Sequence, residues 1–487
     1  MIYNSFDKIP HKPPLPTPED ERRGKHTAMR RRMVTGLWEE DLREEMQKHF
    51  SQARYANIGV PDMSSNVLEQ ITRQLSVLYS NGVTVSHKED ISGLTGRNGL
   101  VTIAGLWPLM QRSQQLTLAL RDSFVLITPV KHIQGQPTKH PGVQYRLQTG
   151  DYVYCESAED APDVPMYYME QRLRRTPDQG LQWVADVYDI RDPANPMMGM
   201  FKIEKDGSLG EDVSQMYMGT PTQRGADYPY RSKEGEPFLP LVMYRAQKTG
   251  HLWNAYDGAT TAWGALSAAT LMSWWVKNFR DSSWAQKYVS GLTLGTSAVD
   301  QEGMARRQAI DTDPSSILVF QQDPELQGAP LIGAFETASD PMKMMEALAM
   351  YEYRVCTSAG LASSVMKQSG DPRSGYALSV SREQQRESSR QFALVFQQAD
   401  QILLGKTAMI TNRFLGTNFP ESGYRVVYHQ LPKSATEQKE DRENIIQLLN
   451  AGLISPVEAM QKLHPDMDEQ AAKDHLNKIR RDRAEFL

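Results

Sequence analysis

Residues 376–415 read as one long helix, and its first third constrains what the whole chain can be. Over 379–391 (SVSREQQRESSRQ) it is polar around its circumference. Such a segment cannot be the core of a monomer, so it faces a partner copy or a water-filled space. Arg382, Arg386 and Arg390 recur every four residues, which lays them along one stripe. Glu383 and Glu387 each stand three residues before an arginine. Helical ion pairs, worth a few tenths of a kcal/mol each, are therefore a second use for the stripe.

The helix is entered from a Gly/Pro/Asp loop, Ser369–Gly375, with Lys367, Gln368 and Arg373 in or beside it. A solvated surface loop explains these residues. So does non-specific contact with phosphates, which needs only flexible cations and polar groups. Two more helices lie upstream. Residues 254–286 are apolar over much of their circumference (Leu266, Leu271, Met272, Trp274, Trp275, Phe279 and many alanines), as in a helix buried against several neighbours. Residues 341–359 carry Met344, Met345, Leu348, Tyr351 and Tyr353. Between them, 288–340 reads as short strands and turns, Ile317–Phe320 being the clearest strand.

Residues 1–25 are Pro-rich and read as an extended or disordered arm. Arg30-Arg31-Arg32 follows inside a helical stretch and reads as a solvated face balanced by nearby acids. Residues 64–79 form an amphipathic helix (Val67, Leu68, Ile71, Leu75, Leu78) capped by Ser65 or Asn66 and ended by Gly82. Residues 106–121 look helical and 123–131 extended. A β-rich region with strands at 144–147, 151–155, 182–190 and 200–204 runs to about residue 245. After Leu431 the chain is helical. Helix 436–451 stops at Gly452, Ser455-Pro456-Val457-Glu458 is a capping box, and Asp466 with Glu469 caps the last helix.

A chain of 487 residues exceeds one core. Its 54 basic and 59 acidic residues give −5, so any contact with nucleic acid must be local or weak. A mean hydropathy of −0.54 fits a soluble protein. Two distant cysteines, Cys155 and Cys356, exclude a disulfide framework and point to a reducing compartment. No signal peptide is expected at the start, and Ala262–Val276 is too short and too rich in small residues to span a bilayer.

Chemistry is hard to find. Leu403-Leu404-Gly405-Lys406-Thr407 ends like a phosphate-binding P-loop, but Asp400 stands where a glycine is required and the context is helical. The ten histidines show no metal spacing, and His464 reads as a turn residue before a proline. Asp300, Glu302, Asp311 and Asp313 fit a solvated loop better than a cation site. No catalytic residue, metal or cofactor is expected, and the chain does not read as an enzyme.

Five local patterns, in order, resemble the portal protein (head-to-tail connector) family of tailed bacteriophages over roughly residues 50–485. They are the helix–turn–strand Val77–Val85; Glu236-Pro237-Phe238-Leu239-Pro240, with Leu239 where a glycine is common; Ala359-Gly360-Leu361; Ser374-Gly375-Tyr376-Ala377-Leu378; and Gly452–Ala459. The resemblance implies an α+β, portal-type fold. Its parts would be an N-terminal arm and helix (1–50), a mixed α/β wing (51–250), a first stem helix (251–287), a clip (288–340), a second stem helix (341–360), a tunnel loop (361–376), a long tunnel helix with a return strand (377–432) and a helical crown (433–487). It implies a ring, usually of twelve copies, at the portal vertex of a virion assembled in the host cytoplasm. Double-stranded DNA would pass through it without being read. Partners would be the terminase large subunit, the major capsid protein and scaffold, and a head-completion or tail adaptor. Lys367, Gln368 and Arg373 would then contact DNA, and Arg382, Arg386 and Arg390 would face the lumen or a neighbouring subunit. Two rivals remain open at this stage: an oligomeric adaptor or scaffold without a channel, and an NTP-dependent packaging enzyme.

Overall fold

The computed structural model describes residues 11–49, 61–130, 142–176, 180–254, 259–282, 286–290, 292–294, 320–322, 331–335, 340–359, 361, 375–429, 435–463 and 469–485. The fold is α+β, with antiparallel strand pairing throughout the described sheets.

The N-terminal segment is not a free arm over its described part. Pro13 and Leu15 are buried, and Gln171 donates to the Pro14 carbonyl at 2.9 Å. Helix α1 (Pro18–Thr35) starts where the Thr17 side chain accepts from the Asp20 amide, and it stops at Gly36, whose φ of +78° suits glycine. The basic run inside α1 is balanced by acids, as expected, but it is not a solvated face. Arg30 is buried, Arg31 pairs with Asp151 at 2.9 Å, and Arg32 grips Asp41 through two nitrogens at 2.7 and 2.5 Å. The run looked solvated because Asp151 lies 120 residues away.

Helix α2 (Glu39–His49) follows, then α3 (Val67–Leu75), capped by Asn66, which accepts from the Glu69 amide at 3.1 Å. The expected helix to residue 79 ends early. The Ser76 hydroxyl bonds back to the Thr72 carbonyl, and the Leu78 amide is taken by the Gln114 side chain at 3.1 Å. Local side-chain partners thus compete with the helical ladder. Gly82 does take a left-handed φ (+93°), but in the turn into β1 (Val83–Ser86) rather than as a helix cap.

Helix α4 (Leu106–Leu120) packs beneath a three-stranded sheet of order β10-β2-β3 (Leu241–Arg245, Asp122–Val130, Gly142–Thr149). A larger sheet runs β4-β5-β6-β7-β8 (Val153–Ser157, Pro165–Arg175, Leu181–Asp189, Met197–Ile203, Leu209–Asp212), with β9 (Gln223–Arg224) on β7. Strand β5 is absent from the sequence reading. Its buried Glu170 and Gln171 interrupt any alternation of apolar and polar positions.

Helix α5 is described over Ala259–Ser282, and the two ends of the expected 254–286 are not helical: Gln286 opens a strand, and Asn254 is held elsewhere. Asn254 is captured before the helix begins: its amide goes to the Asp122 carboxylate at 2.8 Å and its side chain to the Gln247 carbonyl. Ala262, Ala265, Ala268 and Ala269 are buried, and this small-residue face lets α6 (Pro341–Ser358) approach closely. A Cβ added at Gly264 would stand 2.8 Å from Val355 Cγ2. Asp340 caps α6, accepting from the Met342 amide at 3.0 Å. Between the two helices lie two β-pairs, β11 with β14 (Gln286–Ser290, Leu331–Phe335) and β12 with β13 (Leu292–Leu294, Phe320–Gln322). Residues 317–319 lie outside the described residues.

Helix α7 runs from Gly375 to Leu415, and strand β15 (Arg425–Tyr428) returns to pair with β1. Helices α8 (Ala435–Asn450), α9 (Pro456–Leu463) and α10 (Glu469–Glu485) end the chain. The capping box of α9 is reciprocal: Ser455 N donates to Glu458 at 2.7 Å, and Glu458 N donates to Ser455 Oγ at 3.1 Å. His464 and Asp466 lie outside the described residues. Two apolar cores result. One joins the three-stranded sheet, α4 and Phe396, Leu403, Leu404, Ala408 and Ile410 of α7. The other joins α1, α2 and α3 to α5 and α6. Among the described residues, no helix is long and apolar enough to cross a membrane.

Candidate nucleic-acid interface

Helix α7 changes character along its length. Residues 396–411 carry the core-facing side chains Phe396, Ala399, Asp400, Leu403, Leu404, Thr407, Ala408, Ile410 and Thr411, all buried. The half before Phe392 carries the arginines. Arg382 and Arg386 sit on the helix at the expected spacing, with side chains outside the described residues. Arg390 is exposed, and its guanidinium lies 3.4 Å from Glu387, three residues earlier. One of the ion pairs raised by the sequence is therefore present. An exposed pair of this length contributes at most a few tenths of a kcal/mol. Lys367, Gln368 and Arg373 lie outside the described residues, as do Asp300, Glu302, Asp311 and Asp313.

The segment that mimics a P-loop tail has other work. Gly405 faces the return loop so closely that a Cβ there would lie 2.5 Å from the Glu421 carbonyl oxygen. Lys406 donates to the Leu241 carbonyl at 2.7 Å, and burial lowers its pKa to about 8. Thr407 donates to Leu403 O at 2.8 Å and shares a hydrogen bond with the Tyr145 hydroxyl at 3.1 Å. All three residues serve packing inside a continuous helix, so no concavity of backbone N–H groups forms there.

Asp400, the residue that breaks the P-loop pattern, is the most elaborately held carboxylate near the arginine-bearing half. It accepts from Tyr428 at 2.7 Å, Tyr244 at 2.8 Å and Tyr79 at 2.9 Å. Burial raises its pKa to about 6, against the three hydrogen bonds that favour the anion. The tyrosines are pushed above their usual range by the same burial and by the shared carboxylate. Sequence reasoning missed this cluster. Its tyrosines lie up to 321 residues from Asp400 along the chain, and no local pattern marks them.

Apolar side chains are also exposed along the helices that flank this region. Met342 and Met350 of α6 are 69% and 58% exposed, and Leu394 and Ile402 of α7 are 70% and 52% exposed. Trp263 and Val276 of α5 are partly exposed as well. Among the described residues, no group of three or more His, Cys, Asp or Glu side chains is arranged to hold a metal ion.

No family model matches the chain, and no curated protein matches it. Among solved structures, it is similar to a chain from the neck of an empty GTA particle computed with C6 symmetry. The TM-score is 0.43 at 11% identity, over 82% of this chain and 88% of that one.

Proposed function

We propose that the protein is a phage-type portal: a ring, of twelve copies in the assembled particle, through which double-stranded DNA is packaged and later ejected. The observation that carries this reading is the division of α7. Its C-terminal half is built into the apolar core under the three-stranded sheet, while its N-terminal half is polar and bears arginines every four residues. A helix anchored at one end and hydrophilic at the other suits the wall of a water-filled passage. The exposed Met342, Met350, Leu394 and Ile402 support the reading, because neighbouring copies would cover them.

The electrostatics fit sliding rather than gripping. Twelve copies at −5 each give −60, an acidic ring that repels phosphate in bulk. Lys367, Gln368 and Arg373 on the loop, with Arg382, Arg386 and Arg390 behind it, supply local and transient phosphate contacts. In this role the chain hydrolyses nothing. It nucleates capsid assembly with the major capsid protein and scaffold, docks the terminase large subunit as the motor, and then binds a head-completion or tail adaptor at the strand pairs between α5 and α6. It acts at the portal vertex of a virion assembled in the host cytoplasm.

Arg373→Ala tests the assignment. Rings are expected to form normally, with DNA packaging or retention impaired severalfold. Normal packaging and retention by the variant overturn the loop's role.

A further inference from the structure

Three tyrosine hydroxyls converge on one buried carboxylate inside α7, where an apolar residue would fill the space without burying a charge. Each hydroxyl comes from a different element: Tyr79 from the turn after α3, Tyr244 from β10 and Tyr428 from β15. Apolar packing tolerates small rotations of a helix about its axis. Directional hydrogen bonds from three separate elements resist them. Position 382 precedes position 400 by eighteen residues, which is five whole helical turns, so the two positions share one side of α7. Rotation fixed at Asp400 therefore sets the side on which the arginine stripe begins.

We propose that Asp400, held by Tyr79, Tyr244 and Tyr428, is the positioning residue that fixes the rotation of α7 and so aims its arginine-bearing half. The purpose of that aim rests on the DNA-passage reading; the anchoring itself does not.

Other charged groups around α7 are engaged elsewhere. On β10, Arg245 donates to the Leu252 and Asp163 carbonyls. On β2, Asp122 accepts from the Asn254 amide. On β3, Arg146 is paired with Glu170, and Tyr145 bonds Thr407. Lys406 on α7 itself donates to Leu241 O. Arg425 of β15 is exposed, and on α3 Glu69 pairs with Arg73 at 3.1 Å. The three tyrosines are the titratable groups bonded to Asp400. Its folded pKa of about 6 lies above the ordinary carboxylate range near 4. Protonation therefore favours the closed anchor: it is firmest below about pH 4 and loosens as pH rises through about 6.

The test is hydrogen exchange along α7 in the assembled full-length protein from pH 5 to 8, corrected for intrinsic chemistry. Wild type is compared with Asp400→Asn and Tyr428→Phe, and DNA retention is measured on the same variants. Protection over residues 375–395 is expected to fall severalfold in wild type as pH rises through about 6, with β5 and β6 unchanged. The step should vanish in Asp400→Asn, and protection should be lower throughout in Tyr428→Phe. DNA retention should drop in both variants while rings still form. A response confined to 396–411, a uniform loss that includes β5 and β6, or no wild-type step overturns the proposal. The wild-type step and Tyr428→Phe decide the matter if Asp400→Asn does not fold. An exchange step without any change in retention keeps the anchor and overturns the DNA-passage reading.

Discussion

Replacing Gly405 with alanine should destabilise the protein, although alanine is the better helix former. In a solvated helix the change gains about 1 kcal/mol. Here the new Cβ would stand 2.5 Å from the Glu421 carbonyl oxygen, and ordinary contact begins near 3.4 Å. The return loop must therefore move by roughly 1 Å, on the order of an overpacked core. That loop is not free to yield. Asn412 Nδ2 donates to Phe419 O at 2.8 Å, Phe419 N donates to Asn412 Oδ1 at 2.7 Å, and the Tyr424 hydroxyl donates to Pro420 O at 2.6 Å. A contact this short belongs in the upper part of the overpacking range, about 2–3 kcal/mol, because those hydrogen bonds resist the shift, and the gain of about 1 kcal/mol in helix propensity is set against it. The net expectation is a loss of about 1–2 kcal/mol. Because a chain of several units does not unfold in one step, the assay is local. Amide exchange over 416–424 should quicken by roughly 5–30-fold. Unchanged or slower exchange would refute the argument, since it would mean that Gly405 is not there to admit the Glu421 backbone.

Two further substitutions follow from the same kind of contact. Asp122 is buried beside Asn254, and desolvation raises its pKa to about 7, so its contribution to stability is full below about pH 4 and is lost as pH rises through about 7. Asp122→Asn should therefore gain on wild type from about pH 4 to about 7 and level off above, by up to several kcal/mol, read as amide exchange at Asn254 and along β2; a pH-independent difference would contradict this. Gly264→Ala should push α5 and α6 apart at Val355 and cost about 1–2 kcal/mol net of helix propensity, read as a lower thermal midpoint for the cluster of Ala262, Ala265 and Leu266.

What was legible in the sequence was local. Asn66 and the Ser455–Glu458 pair announce their helices because a cap and its partner lie within three residues. The arginine stripe was legible for the same reason, since four-residue spacing is the helix's own period. Helix ends failed where a distant side chain takes a backbone amide, as Asp122 takes Asn254 and Gln114 takes Leu78. Strand β5 was hidden by buried Glu170, whose partners Arg146 and Gln148 lie on β3. The basic run of α1 read as solvated because Asp151, the partner of Arg31, lies far along the chain. The tyrosines of Asp400 were invisible throughout, because Tyr244 and Tyr79 come from 156 and 321 residues away. A fold assembled by long-range antiparallel pairing, such as β1 on β15, keeps its decisive contacts out of any local window.

The most direct test of the central claim is electron microscopy of the purified protein under assembly-permissive conditions, with end-on class averages. The account predicts rings with an open centre, mostly of twelve 55.1 kDa subunits and so about 661 kDa, with the polar half of α7 toward the opening or a subunit boundary. A monodisperse monomer or dimer, or a closed assembly without a through-passage, would contradict it.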